Sequence, residues 1–224
     1  RDSAEQFSYQ GRPTIIGIDS GSAIAGLTDD AIDAYDLPMR QLYSSDPAMM
    51  AALDEFDVLF AEQPIAAGDP QALAALRQQT EIPIMADESC FTVADAIQLT
   101  RHDAADILAV YPGKHGGLTE TRRITEVARE AGIVCAMGSN LELGIGTAAM
   151  LHLAMADPTI DSERYPADLI GPLYHQADLI TEPLPLGPGV ATVPDGPGLG
   201  VELDREQLTR YREETPPSID AMPG

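Results

Sequence analysis

The sequence predicts an α/β fold, because short apolar runs alternate with helix-sized segments along most of the chain. The runs are apolar on both faces, as is typical of parallel strands covered by helices. A polar residue follows most runs, at the end where the carboxyl ends of parallel strands meet. No Gly-rich GxGxxG fingerprint follows the first run, which weakens an open dinucleotide-binding sheet and favours a closed barrel. We therefore predict a partial (β/α)8 TIM-type barrel of about six βα units.

Each predicted strand is a short apolar run that is too brief for a helix. The runs, in chain order, are Thr14–Ile18, Val58–Ala61, Ile82–Ala86, Ile107–Val110, Ile133–Met137 and, as a short final strand, Asp168–Ile170. Longer segments of helical length separate them. These predicted helices are Thr28–Tyr35, Pro47–Glu55, Pro70–Gln79, Val93–Arg101, Leu118–Ala131 and Gly144–Ala156.

The C-terminal part of the chain differs in character from the predicted barrel, which covers residues 1–181. Glu182–Leu203 is dense in Pro and Gly and predicts an extended segment, with Val201–Leu203 as a further short strand. We extend this segment to residues 182–212 and expect residues 213–224 to be a disordered tail.

The composition limits the classes of function. The chain has 224 residues, of which 13 are basic and 36 acidic, for a formal net charge of −23. A phosphate backbone would be repelled, so nucleic acid is an unexpected partner. The chain has no basic segment followed by an apolar one at its start and no apolar run near the ~18 residues of a membrane span. Two cysteines give no disulfide framework, so we expect a cytoplasmic protein.

Two carboxylates stand out by their position and spacing. Glu62 and Asp87 each follow an apolar run, and they lie 25 residues apart, the length of one βα unit. We expect them at the ends of adjacent strands. Carboxylates so placed repel each other unless positive charge lies between them, and a hard divalent cation such as Mg²⁺ supplies it. A helix cap or a solvated loop is the alternative role for either residue alone.

Five short motifs occur in order along the chain, at intervals that fit barrel units. They are EQP at Glu62–Pro64, ADES at Ala86–Ser89, GGL at Gly116–Leu118, GSNLELGIGTAAMLHLA at Gly138–Ala154 and PGLGVELD at Pro197–Asp204. Together they resemble the enolase superfamily, and most closely its mandelate racemase/muconate lactonizing enzyme branch. The likeness covers roughly Thr14 to Asp204, and residues 182–212 resemble that family's return to its capping domain.

The resemblance implies a Mg²⁺ ion held by three acidic ligands, where it stabilises the enediolate formed when a base removes the proton α to a carboxylate. Glu62 and Asp87 match the second and third ligands. The first is open between Asp19, which follows a strand but lacks the family's Asn at Gly21, and Asp36, which is better spaced but follows a helix.

The acid/base residues depart from the family pattern. The family's lysine after the sixth strand corresponds to Tyr111, and Lys114, the only lysine of the chain, follows three positions later. Either Lys114 bends back over the mouth as base or cation, or Tyr111 serves as a hydrogen-bond donor or weak acid. Ser139 and Glu142 match substrate-binding positions at the mouth.

The family's Lys-x-Lys on the second strand has no counterpart in this sequence, nor have the capping domain and the first strands. We therefore expect that the chain is part of a longer protein. The leading hypothesis is a Mg²⁺-dependent lyase or isomerase acting on a small carboxylate, such as a sugar acid or amino-acid derivative, in a homo-oligomer. The alternative is a catalytically impaired homologue or fragment that binds an acidic ligand or has a structural role.

Overall fold

The computed structural model describes residues 8–9, 12–13, 50, 59–187 and 189–212. The strands in these residues are β1 (Ser8–Tyr9), β2 (Arg12–Pro13), β3 (Ala61–Glu62), β4 (Ile84–Ala86), β5 (Ile107–Val110), β6 (Val134–Met137), β7 (Leu186–Gly187) and β8 (Val190–Ala191). The α-helices are α1 (Pro70–Arg77), α2 (Val93–Arg101), α3 (Pro112–His115), α4 (Leu118–Ala131), α5 (Gly144–Ala156) and α6 (Arg205–Tyr211), and Gly171–Tyr174 forms a 3₁₀ turn.

Strands β3 to β6 form one parallel sheet in the order of the sequence. Every residue of β5 is buried, and Leu108 pairs with Ala86 on one side and with Cys135 on the other. Helices lie between successive strands, as parallel connections require. The predicted α/β class with a parallel sheet is confirmed, whereas the number of barrel units stays a prediction.

The two faces of the sheet belong to two separate apolar clusters. Ile107 and Ala109 pack in a small cluster with Phe60 and Tyr165, whose rings meet edge to face at 5.7 Å between centroids. Leu108, on the opposite face of the sheet, belongs to the larger cluster, which includes residues of the helices. Because both faces are covered, the strands are continuous apolar runs without alternation.

Local signals fix where the helices begin and end. The Asp69 side chain accepts hydrogen bonds from the backbone N–H groups of Gln71 and Ala72, both at 3.0 Å, and so caps α1. Thr92 and Asp95 form a reciprocal capping box at the start of α2. Helix α4 ends at Gly132, which has a φ of 73°.

Several predicted elements differ from the structure. The strand predicted over Val58–Ala61 is β3, so Glu62 is its last residue and not the residue after it. Asp168–Ile170 is not a strand: its backbone meets Met137 once, through the Asp168 N–H, and the chain then turns into the 3₁₀ segment. Val201–Leu203 makes a single bridge, between Leu203 and Ile180.

The C-terminal segment is less extended than predicted. It contains the β7–β8 hairpin and then α6, which begins at Asp204 because that side chain accepts from two backbone N–H groups. The predictions for Thr14–Ile18, Thr28–Tyr35 and most of Pro47–Glu55, and for the tail at 213–224, lie outside the described residues. In the part of the chain that the structure describes, no helix has the length and apolarity needed to cross a membrane.

Candidate functional site

The carboxyl ends of the four parallel strands gather polar residues at one edge of the sheet, which we call the carboxyl edge. Glu62 ends β3, Asp87 follows β4, Tyr111 follows β5, and Ser139 lies two residues beyond β6. Glu62 is in register with Met85, and Val110 with Met137, so the strand ends are level. The predicted adjacency of the Glu62 and Asp87 strands is therefore present in the sheet.

Gln63 joins the loops that follow β3 and β4. Its side chain is 2% exposed, and its Oε1 accepts hydrogen bonds from the backbone N–H groups of Asp87 at 3.0 Å and Ser89 at 2.9 Å. Its Nε2 donates to the carbonyl of Ile65 at 2.7 Å. Gln63 also has a φ of 41°, a conformation that costs energy in a non-glycine residue. The two chain segments that carry the candidate ligands Glu62 and Asp87 are thus held together.

Lys114 turns back from α3 and contacts the residue after β4. Its Nζ forms an ion pair with the Asp87 carboxylate, and it donates to the carbonyl oxygens of Asp87 at 3.0 Å and Ala109 at 2.8 Å. Only 1% of the Lys114 side chain is exposed, against 16% of the Asp87 side chain. The ammonium also lies 4.6 Å from the centroid of the Tyr111 ring.

The local sequence explains how Lys114 reaches this position. Pro112 is the first residue of the short helix α3, and Gly116, with a φ of 79°, ends it after one turn. One turn brings the side chain of Lys114 back toward the strand that precedes it. The inward bend considered from the sequence is therefore the observed one.

Tyr111 is a neutral phenol in this environment. Burial raises its pKa strongly, and the nearby carboxylates of Asp87 and Glu88 raise it further. Its ring lies against Gly138, where an added Cβ would come within 2.8 Å of the ring. Tyr111 can donate a hydrogen bond, but it is a poor proton acceptor near neutral pH.

The buried side chain of His115, beside Tyr111, is also uncharged near neutral pH. Burial lowers its pKa to about 4, against the opposing effect of its contact with the Phe91 carbonyl, 2.8 Å from Nδ1. Its Nε2 has no partner among the described residues. The sequence offered no signal for this histidine beyond its position next to Lys114.

Ser139 and Glu142 meet in the loop after β6. The Glu142 Oε2 accepts from the Ser139 hydroxyl at 2.7 Å and from the Asn140 N–H at 2.9 Å. Glu142 Oε1 is buried with no partner among the described residues. It lies 2.7 Å from the point where Gly113 would carry a Cβ, so glycine is needed for this approach. Burial raises the pKa of the nearby Asp168, and the charge of Glu142 raises it further.

Two of the three predicted acidic ligands, Glu62 and Asp87, lie within the described residues. Within them no group of three or more His, Cys, Asp or Glu side chains is arranged to hold a metal. Asp19 and Asp36, the candidates for the first ligand, lie outside the described residues. Two carboxylates at adjacent strand ends are hard oxygen donors, a chemistry that fits Mg²⁺. The roles of the candidate site residues remain predictions from the sequence. These residues are Asp19, Glu62, Asp87, Tyr111, Lys114, Ser139 and Glu142.

Residues 30–207 match the protein family described as enolase C-terminal domain-like. Among curated proteins, muconate cycloisomerase 1 of Rhodococcus opacus is 40% identical over 159 residues, which are 71% of this chain and 42% of that protein. The o-succinylbenzoate synthase of Geobacillus stearothermophilus is 34% identical over 188 residues, 84% of this chain and 47% of that protein. The chain spans about half the length of the curated relatives it matches.

The structure of this chain is also similar to solved structures. The 2-chloromuconate cycloisomerase from Rhodococcus opacus 1CP has a TM-score of 0.70 at 34% identity, over 75% of this chain and 46% of the other. The N-succinyl Arg/Lys racemase from Bacillus cereus ATCC 14579 has a TM-score of 0.68 at 27% identity, over 73% and 43%.

Proposed function

The chain belongs to the enolase C-terminal domain-like family, in the mandelate racemase/muconate lactonizing enzyme branch of the enolase superfamily, and we propose that it carries the metal-binding part of a Mg²⁺-dependent lyase or isomerase. The reaction removes the proton α to the carboxylate of a small substrate. Dehydration, epimerisation or cycloisomerisation follows. A sugar acid or an amino-acid derivative is the proposed substrate class, and the assembly is a homo-oligomer.

The observation that carries this proposal is the placing of Glu62 and Asp87 at the ends of adjacent parallel strands. With Asp19 or Asp36 as a third ligand, these side chains would hold Mg²⁺. The ion would supply positive charge that offsets the negative charge developing on the carboxylate as the proton leaves. A side-chain base is otherwise too weak to remove such a proton.

The described residues fill supporting roles in this reaction. Tyr111 donates a hydrogen bond from its neutral phenol, and Lys114 provides a fixed positive charge beside Asp87. The Lys114 Nζ has three acceptors within the protein, which occupy its hydrogen-bonding capacity. We therefore assign the removal of the α-proton to a residue other than Lys114.

The loop after β6 is the proposed contact for the far end of the substrate. The Ser139 hydroxyl is held by Glu142 and can redirect toward a bound carboxylate. The Oε1 of Glu142, which has no partner within the described ranges, can accept from a substrate hydroxyl or N–H group. The names of these relatives refer to substrates or products with carboxylates, including muconate and o-succinylbenzoate. A small carboxylate is consistent with them.

A second candidate function is a catalytically impaired homologue that binds an acidic ligand or has a structural role. The observation that favours it is the phenol of Tyr111 at the position where the family resemblance places a lysine. In addition, the Lys114 ammonium is already hydrogen-bonded within the protein. Such a protein would still bind its acidic ligand but would not exchange the ligand's α-proton.

Hydrogen–deuterium exchange at the α-carbon of a panel of carboxylic acids separates the two functions. The panel includes muconolactone and N-succinyl amino acids, whose α-carbons are saturated, and the full-length protein is supplied with Mg²⁺ in deuterated water. Exchange that falls in both Tyr111→Phe and Lys114→Met supports the enzyme. A folded, Mg²⁺-loaded protein that binds a panel member but exchanges no α-proton contradicts it and supports the impaired homologue.

A further inference from the structure

The ion pair between Lys114 and Asp87 is the most buried one among the described residues. The other pairs there expose at least 27% of each partner side chain, whereas Lys114 exposes 1% and Asp87 16%. Burying an ammonium is costly unless all of its hydrogens find acceptors. Here the Asp87 carboxylate, the Asp87 carbonyl and the Ala109 carbonyl supply three acceptors for three hydrogens.

Hydrogen bonds to the backbone of Asp87 also restrain the position of this carboxylate. The Asp87 N–H donates to Gln63, and the Asp87 carbonyl accepts from Lys114. Lys114 itself is placed by the α3 turn between Pro112 and Gly116. Asp87 is therefore held on both sides by protein groups, and one of its two carboxylate oxygens, Oδ1, is engaged by Lys114.

We propose that Lys114 is an internal counter-ion for Asp87: it holds the carboxylate in place in the metal-free protein and weakens its affinity for a divalent cation. The inference rests on the proposed function, because it takes Asp87 as a ligand. Lys114 is thus a positioning residue. Its charge offsets that of Asp87 before an ion binds and opposes the charge of the arriving ion.

Removing the charge separates these two effects. Lys114→Met leaves Asp87 partly buried without its counter-ion, so the metal-free protein should lose thermal stability. The same change removes one positive charge next to a divalent ion, so the Mg²⁺ dissociation constant should fall by roughly tenfold even where screening is close to that of water. A purely structural lysine would give the first effect without the second.

Two further variants keep the test valid if Lys114→Met folds poorly. Lys114→Gln retains an N–H donor for the carbonyl oxygens but no charge, and should also bind Mg²⁺ more tightly than the wild-type protein. The double variant Asp87→Asn/Lys114→Met removes both charges and should lose this gain. Mg²⁺ affinity is measured by calorimetry on the full-length protein, and the melting temperature Tm is measured with Mg²⁺ or with chelator.

Each outcome has one reading. Tighter Mg²⁺ binding and a larger Mg²⁺-induced rise in Tm in the charge-removing variants support the inference. Wild-type protein that binds Mg²⁺ while Lys114→Met and Lys114→Gln bind it equally or more weakly overturns the inference but leaves the proposed function standing. Binding in the variants alone supports the inference and contradicts Mg²⁺ dependence of the wild-type protein. Binding in none of them overturns both.

Discussion

Gln63 Oε1 accepts a hydrogen bond from the backbone N–H of Asp87 at 3.0 Å, and so ties the loop after β3 to the loop after β4. Because Glu62 immediately precedes Gln63, this one amide side chain fixes the spacing of the two candidate metal ligands. The amide is also buried, and it bonds two N–H groups, one carbonyl and the Ser89 hydroxyl at once.

Gln63→Leu should destabilise the fold and weaken Mg²⁺ binding together. The change leaves the backbone N–H groups of Asp87 and Ser89 without their acceptor, at a cost of about 1–3 kcal/mol in the free energy of unfolding. Denaturant unfolding and calorimetry measure the two effects. Gln79→Leu is the control, since that exposed side chain, just beyond the end of α1, donates to the carbonyl of Ala75 in the helix. Equal stability of the two variants would refute the role given to Gln63.

Gly113→Ala should impair substrate binding with little loss of stability. The new Cβ would lie 2.7 Å from Glu142 Oε1 and 3.3 Å from Asn140 Nδ2, so these side chains, rather than the backbone, must move. We expect KM to rise in the full-length enzyme. Gly187→Ala is the control, because its Cβ meets its nearest neighbour at an ordinary 3.6 Å. An unchanged KM in Gly113→Ala would argue against a substrate-binding role for the Glu142 loop.

Asp157→Asn should cost about 1 kcal/mol at pH 7. Burial alone would raise the pKa of Asp157, but hydrogen bonds from Thr125, at 2.5 Å, and from the Thr159 N–H lower it below its ordinary value. Because its pKa is lowered, the ionised Asp157 side chain stabilises the folded protein at pH values above 3.8, its ordinary pKa. This stability is lost as the pH falls through the folded-state pKa. The gap between variant and wild type in Tm should therefore close under strongly acidic conditions. A gap that is the same at pH 7 and pH 2.5 would contradict this account.

Asp168→Asn should show the opposite pH dependence. Burial, and then the charge of Glu142, raise the pKa of Asp168. A raised pKa means that ionisation of Asp168 opposes folding. The stability that comes from keeping this carboxyl protonated is present at pH values below its ordinary pKa and is lost as the pH rises. The variant should melt at a higher temperature than the wild type at pH 7 and at the same temperature near pH 3. A lower Tm at pH 7 would show that the carboxylate is stabilised by a contact of its own.

Residue spacing was sufficient to predict the part of the site that depends on the sheet. Glu62 and Asp87 follow apolar runs one βα unit apart, and parallel pairing then places them at neighbouring strand ends. Helix α4 was also predicted with its observed bounds, Leu118–Ala131, because a long segment ends at a glycine suited to a positive φ.

Contacts made by turns could not be predicted in the same way. The burial of Lys114 depends on a single turn of α3, and the sequence left open whether Lys114 bends inward. The Gln63 bonds depend on a positive φ at a residue type that rarely adopts it. The predicted strand at Asp168–Ile170 failed because a short apolar run followed by Gly-Pro turned into a 3₁₀ segment instead.

Calorimetric titration of the full-length protein with Mg²⁺, in its wild-type form and as Glu62→Gln, tests the central claim most directly. The claim is that Glu62 and Asp87 bind one ion, and Glu126→Gln, on the outer helix α4, removes one acidic charge elsewhere as the control. We predict saturable binding in the wild type and in the control, and no binding in Glu62→Gln. Mg²⁺ affinity that is the same in all three proteins would contradict it.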